Sequence, residues 1–144
     1  MSGVDIALKT VKRDEGLRLK PYRCTEGKLT IGYGRNIEDH GINEEEAELM
    51  LQNDLLWAES GCFHVFSDWW KLNEVRKGVL INMAFNLGIP RLRQFKNMIA
   101  AVDKHDYEKA ADEMLDSKWA KQVGNRATRL ADTMRSGKWD SGLG

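Results

Sequence analysis

The chain has 144 residues, 42% hydrophobic and 31% charged, the composition of a globular domain long enough to bury a core. No apolar run approaches the ~20 residues of a membrane-spanning helix, and Met1–Asp5 lacks the basic and apolar regions of a secretory signal. The formal net charge is zero, and two cysteines, Cys24 and Cys62, are too few for a disulfide framework, so two reduced thiols are expected.

The charge is unevenly spread. Residues 1–60 carry 8 basic and 12 acidic residues, a net of −4, and residues 61–144 carry 14 and 10, a net of +4. Six bases against one acid lie between Lys118 and Lys138. Such a half suits an anionic polymer, cell wall or nucleic acid, or is simply a solvated helical surface. His40, His64 and His105 have no metal-binding spacing. G-Y-G at Gly32–Gly34 lacks the third glycine and following helix of a dinucleotide fingerprint. No metal and no cofactor are expected.

Val4 to Lys12 reads as a helix, with Val4, Leu8 and Val11 on one face. It ends on Asp14 and Glu15, followed by Gly16. Acids at a helix C-terminus are disfavoured by about 0.3–1 kcal/mol each. A misfit of this kind is expected at a functional site. The same field makes a carboxylate hold its proton, which suits a general acid.

The pattern then turns to strands. Pro21 leads a short run from Tyr22 to Cys24, Thr25–Lys28 reads as a turn, and Leu29–Tyr33 alternates. In this β-hairpin the side chains of Cys24 and Thr30 are placed to face the acid at the helix end. Arg35–Gly41 reads as a polar connection. Asn43 and Glu46 form a capping-box pattern before a long helix of roughly Asn43–Ser60, which Gly61 is expected to end. Phe63, Phe66, Trp69 and Trp70 follow, read mainly as core and alternatively as a sugar-stacking platform. Asn73 caps a helix that runs to a stop at Gly88, and Ile89-Pro90 turns the chain. Segments near Asn97–Asp103, Asp106–Asp116 and Asn125–Arg135 also read as helices.

These words resemble the phage-type lysozymes, the muramidase family typified by the T-even phage enzyme. The family pattern is a Glu, eight residues, an Asp or Cys, five residues, then a Thr, and Glu15, Cys24 and Thr30 keep that spacing. E-G-L-R-L-K and T-I-G-Y-G surround the triad; I-N-M-A-F-N-L-G, S-K-W, N-R-A-T-R and R-S-G-K-W extend the likeness down most of the chain. The expected fold class is therefore α+β. It is a helix-dominated lysozyme-like fold, a small N-terminal lobe with a β-hairpin joined by a long helix to a helical C-terminal lobe. The domain reading is one catalytic domain over 1–144, with a small lobe of about 13–60 and a helical lobe of about 61–144 packed with the N-terminal helix.

The resemblance implies an inverting hydrolase of the β-1,4 bond between N-acetylmuramic acid and N-acetylglucosamine. Glu15 is the acid, and Thr30 with Cys24 serves the attacking water. A thiol with an ordinary pKa of ~8.5 is a poor fixed negative charge at neutral pH, so Cys24 acts as a base or nucleophile only if that value is lowered. Arg23 is its neighbour, but on a strand it points to the opposite face. Glu26, Asn86 and Lys118 match positions lining the substrate groove. Arg126 matches an Arg that pairs with the catalytic Glu, and Arg35 and Asp54 match an ion pair. The implied partner is bacterial peptidoglycan, with no nucleic acid and no membrane insertion. The implied setting is phage-induced host lysis by a monomer held in the host cytoplasm until a holin opens access to the wall. A virion-associated lysozyme is a second setting. A wall-binding module without catalysis and a basic nucleic-acid binder are the readings of other classes.

Overall fold

A computed structural model describes residues 1–139. The chain divides into two compact units at Leu49–Met50. The fold is helix-dominated with a small antiparallel sheet, as the sequence leads one to expect.

In the first unit, α1 (Gly3–Glu15) opens with a reciprocal cap. Asp5 N–H donates to Ser2 Oγ at 3.1 Å, and Ser2 N–H donates to Asp5 Oδ2 at 3.0 Å. These bonds satisfy two of the donors that a helix start leaves free. Gly16 closes α1 by donating its N–H to Lys12 O at 3.0 Å. Strands β1 (Arg18–Arg23), β2 (Leu29–Gly32) and β3 (Arg35–Asn36) form the sheet in that order. Tyr22 pairs with Thr30 and Arg23 with Leu29, and an irregularity separates this register from the Arg18–Gly32 pair. β1 is longer than expected because it is an edge strand, where Pro21 costs no ladder bond. The stretch after Tyr33-Gly34, expected to be a connection, instead forms β3 and a single helical turn, α2 (Ile37–His40). Asn36 caps that turn by accepting from Asp39 N–H at 3.0 Å.

Helix α3 (Glu44–Val65) begins with the expected capping box. Glu46 N–H donates to Asn43 Oδ1 at 2.8 Å, and Asn43 N–H donates to Glu46 Oε1 at 2.9 Å. It does not end at Gly61. That glycine sits inside the helix because Ile89 occupies the space a side chain would take: a Cβ there would lie 2.3 Å from Ile89 Cδ1. The residue serves a close approach between elements, and the chain stays helical for four more residues, to Val65.

The second unit continues with a 3-10 turn (Trp69–Lys71), α4 (Glu74–Leu87), α5 (Ile89–Leu92), α6 (Lys96–Asp103), α7 (Tyr107–Leu115), α8 (Lys118–Val123) and α9 (Asn125–Ser136). Helices α5 and α8 are additions to the expected set. Pro90 stands in the first turn of α5, where its missing N–H costs nothing. Ser117 caps α8 by accepting from Ala120 N–H at 3.1 Å. The core is rich in methionine: Met83, Met98, Met114 and Met134 are fully buried with Phe66, Leu80 and Leu92. In α9, Ala127, Leu130, Ala131 and Met134 recur at helical spacing on the buried face. The aromatic cluster splits. Phe66 and Trp69 are buried and stacked 6.0 Å apart, whereas Phe63 and Trp70 are exposed.

Arg76 ties α4 to the end of α9. Its Nε donates to Met134 O at 2.7 Å and its Nη2 to Arg135 O at 3.0 Å. The guanidinium lies 3.7 Å from the centre of the Tyr107 ring. A fixed cation here satisfies carbonyls that a helix C-terminus leaves open and sits at its negative end.

Gly61→Ala gains helix propensity of about 1 kcal/mol but forces Ile89 out of place, at about 1–3 kcal/mol. Urea unfolding is expected to show a net loss of stability. The loss should shrink when Ile89 is also replaced by Ala, and equal losses in both backgrounds would exclude this packing account.

Candidate active site

Helix α1 delivers Glu15 in its last turn, and the glycine-rich turn between β2 and β3 receives it. A Cβ placed on Gly34 would meet Glu15 Oε2 at 3.0 Å and Cδ at 3.1 Å. The carboxylate therefore lies directly on the backbone of that turn. Gly34 has φ +82°, a conformation that L side chains rarely adopt, so both space and dihedral call for glycine. The neighbouring Asp14 is engaged with Arg13, 3.1 Å away.

The first turn of the sheet holds the other two groups. Tyr22 faces Thr30 in the ladder, so Cys24, two residues on, shares its face. Gly27, at φ +78°, lets the chain reverse: Gly27 N–H donates to Cys24 O at 2.8 Å, and Cys24 N–H to Lys28 O at 3.0 Å. Thr30 is buried, and its hydroxyl donates to Lys28 O at 2.8 Å. With its proton so placed, the Thr30 oxygen keeps lone pairs to accept a bond from water. Cys24 is half-buried. The backbone N–H groups of Lys28 and Glu26 hold its thiol below the ordinary range, opposed by partial burial and the Glu26 charge. The structure thus brings Cys24 and Thr30 together in one turn. Arg23 turns away, donating to Gly27 O at 3.0 Å and Glu38 Oε1 at 3.3 Å.

Ion pairs lash this turn to α2. Lys28 Nζ lies 3.6 Å from Glu38 and 3.3 Å from Asp39, and Leu29 N–H donates to Glu38 at 3.3 Å. Arg35 departs from expectation. Its guanidinium forks onto Glu46, at 2.9 and 2.5 Å, and donates to Gly41 O at 3.1 Å. Asp54 stands eight residues farther along α3, ~12 Å at 1.5 Å per residue, so the nearer acid takes the pair. Arg35 and the Asn43 N–H lower the Glu46 carboxyl to about 2.

The second unit carries the remaining sequence-derived positions. Arg126 opens α9 and donates from Nε and Nη2 to Asn82 Oδ1, at 2.9 and 2.7 Å. Asn86 accepts from Trp119 Nε1 at 2.7 Å through its carbonyl oxygen, so that bond does not use its amide donors. Lys118 and Trp119 line a cleft of about 350 Å³ with Arg91, Phe95 and Asn97. Glu26 is exposed at the tip of the hairpin turn. Asn82 and Trp119 were invisible as partners in the sequence. Their only signal is membership in the I-N-M-A-F-N-L-G and S-K-W words.

An acid at a helix end seated on the turn of a small sheet, followed by a helical unit, is an α+β arrangement of the lysozyme kind. The family model for phage lysozyme matches residues 12–135, and the chain belongs to that family. Among curated relatives, it is 30% identical to the pre-baseplate central spike protein Gp5 of Enterobacteria phage T4, over 91% of this chain but only 28% of that protein. It is 29% identical to a probable T4-type lysozyme of Dictyostelium discoideum, over 88% of this chain and 92% of that one. It is also 31% identical to an endolysin of Acyrthosiphon pisum secondary endosymbiont phage 1, over 85% and 84% of the two chains.

The two thiols should separate chemically. Cys62 is fully buried and pushed up to about 12 by that burial, whereas Cys24 is accessible and held below the ordinary range. Iodoacetamide on the native protein, read by mass spectrometry, should label Cys24 and leave Cys62 unmodified.

Proposed function

We propose that the chain is a muramidase that cleaves the β-1,4 bond between N-acetylmuramic acid and N-acetylglucosamine in bacterial peptidoglycan. The observation that carries this reading is the hairpin turn in which one Lys28 carbonyl fixes the Thr30 hydroxyl while backbone N–H groups hold the Cys24 thiol. Glu15, seated against Gly34, is the acid that protonates the leaving oxygen. Thr30 accepts a bond from the attacking water and aims it at the anomeric carbon. Cys24, as thiolate, takes the proton that water gives up. One proton leaves Glu15 and one arrives at Cys24, and the anomeric configuration inverts.

In this reading Glu26 in the first unit, and Asn86 and Lys118 in the second, are substrate-binding residues, and Arg126, held on Asn82, is a supporting residue. The whole chain works as one catalytic domain, with a small lobe of about 13–60 and a helical lobe of about 61–144. The relatives named endolysins support a lytic role for a phage: synthesis in the host cytoplasm, then release to the wall once a holin has opened the membrane. Among the described residues no helix is long and apolar enough to cross a membrane. The Gp5 relative keeps a virion-associated role as the second setting.

A turbidity assay on purified cell walls tests the reading. Glu15→Gln should fold normally and lose hydrolysis by about 10²–10⁴-fold. Wild-type activity in that variant would remove Glu15 as the acid, and wall binding by the wild type without loss of turbidity would leave a binding module. NMR of the released sugar should show the inverted anomer; retention would replace the base at Cys24 with a thioglycosyl intermediate.

The thiolate requirement fixes a pH signature. Activity should fall as pH drops through the pKa of Cys24, because protonation removes the base. Cys24→Asp should stay active and carry that limb down toward the ordinary Asp value of ~3.9. An unmoved acid limb would exclude Cys24 as the base.

A further inference from the structure

The peptide that joins Lys28 to Leu29 is gripped at both edges. A trans peptide points its C=O and its N–H in opposite directions. On one side Lys28 O accepts from Cys24 N–H at 3.0 Å and from the Thr30 hydroxyl at 2.8 Å. Arg23 faces Leu29 in the ladder as a pair that exchanges no bonds, so the Leu29 N–H points away from β1. Strand β3 does not take that donor either, because its pairing with β2 stops at Thr30–Asn36 and the chain then turns into α2. Glu38, in α2, does: Leu29 N–H donates to Glu38 Oε1 at 3.3 Å. A side-chain carboxylate stands where the carbonyl of a longer third strand would be, on a backbone donor that calls for a partner.

We infer that Glu38 is a positioning residue for hydrolysis, acting through this one peptide group on Thr30 and Cys24. The inference rests on the muramidase reading for what those two side chains do. Rotation of the Lys28–Leu29 peptide would carry Lys28 O away from the Thr30 hydroxyl and the Cys24 N–H together. The Glu38 carboxylate opposes that rotation from the far edge. An N–H bonded to an anion also polarises the peptide it belongs to, which strengthens the bonds that Lys28 O accepts. In this scheme Glu38 touches no reacting atom.

Ion pairing is the competing account of this side chain. Arg23 Nη1 lies 3.3 Å from Glu38 Oε1, and Lys28 Nζ lies 3.6 Å from Oε2. Both cations are shared: Arg23 Nη1 also donates to Gly27 O at 3.0 Å, and Lys28 Nζ lies 3.3 Å from Asp39. Long, shared pairs hold a single geometry poorly. The Leu29 N–H does more than either cation to keep the Glu38 carboxyl below the ordinary carboxylate range, against the opposing effect of partial burial. The placement of Glu38 is local, because the Asn36 cap sets where α2 begins and puts Glu38 in its first turn. Every group in this arrangement belongs to the first unit.

Two variants of the full chain separate the accounts. Glu38→Gln keeps an oxygen for the Leu29 N–H and loses the charge, whereas Glu38→Ala loses both. Circular dichroism checks that they fold. Glu38→Asp, which withdraws the oxygen by one methylene, replaces the alanine variant if that one unfolds, and the same outcome is expected of it. Initial rates over a series of cell-wall concentrations give kcat and KM. Glu38→Ala should lower kcat by ~10–100-fold, the cost of a misaimed group, with KM within about twofold of wild type. Glu38→Gln should recover most of that loss. The second readout needs no substrate. Exchange of the Cys24 amide proton, followed by NMR, should quicken ~3–10-fold in Glu38→Ala, as one weakened hydrogen bond implies, and stay near wild type in Glu38→Gln. Equal losses in the glutamine and alanine variants would assign Glu38 to its ion pairs and overturn the proposal. So would a rise in KM at constant kcat, or unchanged kcat in Glu38→Ala. A wild type without hydrolysis would sink the muramidase reading instead, and the Cys24 exchange alone would then decide whether Glu38 holds the peptide.

Discussion

One carbonyl organises the sheet-bearing unit. Lys28 O accepts both the Cys24 N–H, which closes the hairpin, and the Thr30 hydroxyl, which is buried beside it. A carbonyl has two lone pairs, and both are used here. The turn geometry and the orientation of the Thr30 oxygen are thereby set by the same atom. Neither adjusts without the other. The Lys28 side chain, bridging Glu38 and Asp39, anchors that carbonyl to α2.

Glycine does separate jobs in the two units, and this explains what the sequence revealed. At Gly27 the positive φ of a turn is a local requirement, and it was legible in the residues themselves. At Gly61 the requirement is imposed by Ile89, twenty-eight residues away, and a local reading mistakes it for a helix stop. The triad spacing of Glu15, Cys24 and Thr30 was readable because it matches a family pattern. That Cys24 and Thr30 share a face followed from strand alternation. The seat of Glu15 on Gly34 was not readable, since nothing local links a helix end to a turn nineteen residues later. Arg35 shows the same limit. Its charge was legible, but its choice of Glu46 over Asp54 depends on where the first turn of α3 lies.

Short elements escaped for a related reason. β3, α2, α5 and α8 are each too brief to show a hydrophobic period. They are held by caps and neighbours: Asn36 for α2, Ser117 for α8, and Pro90 in the first turn of α5. The longer helices carry their own periodicity, and their bounds were legible to within a few residues. Helix α3 is the instructive exception. Its apolar residues lie on both sides, so its pattern states that it is a helix without stating which face belongs inside.

The Arg76 bonds to Met134 O and Arg135 O join positions fifty-eight and fifty-nine residues apart. Before the ribosome has emitted those carbonyls, the guanidinium has only the Tyr107 ring to rest on. The helical unit therefore finishes late in synthesis, and a nascent chain cut before α9 lacks the latch that shuts it. A proteolytic nick at Gly124, the single residue between α8 and α9, would act in the same way, leaving a fragment whose earlier helices are intact but unfastened.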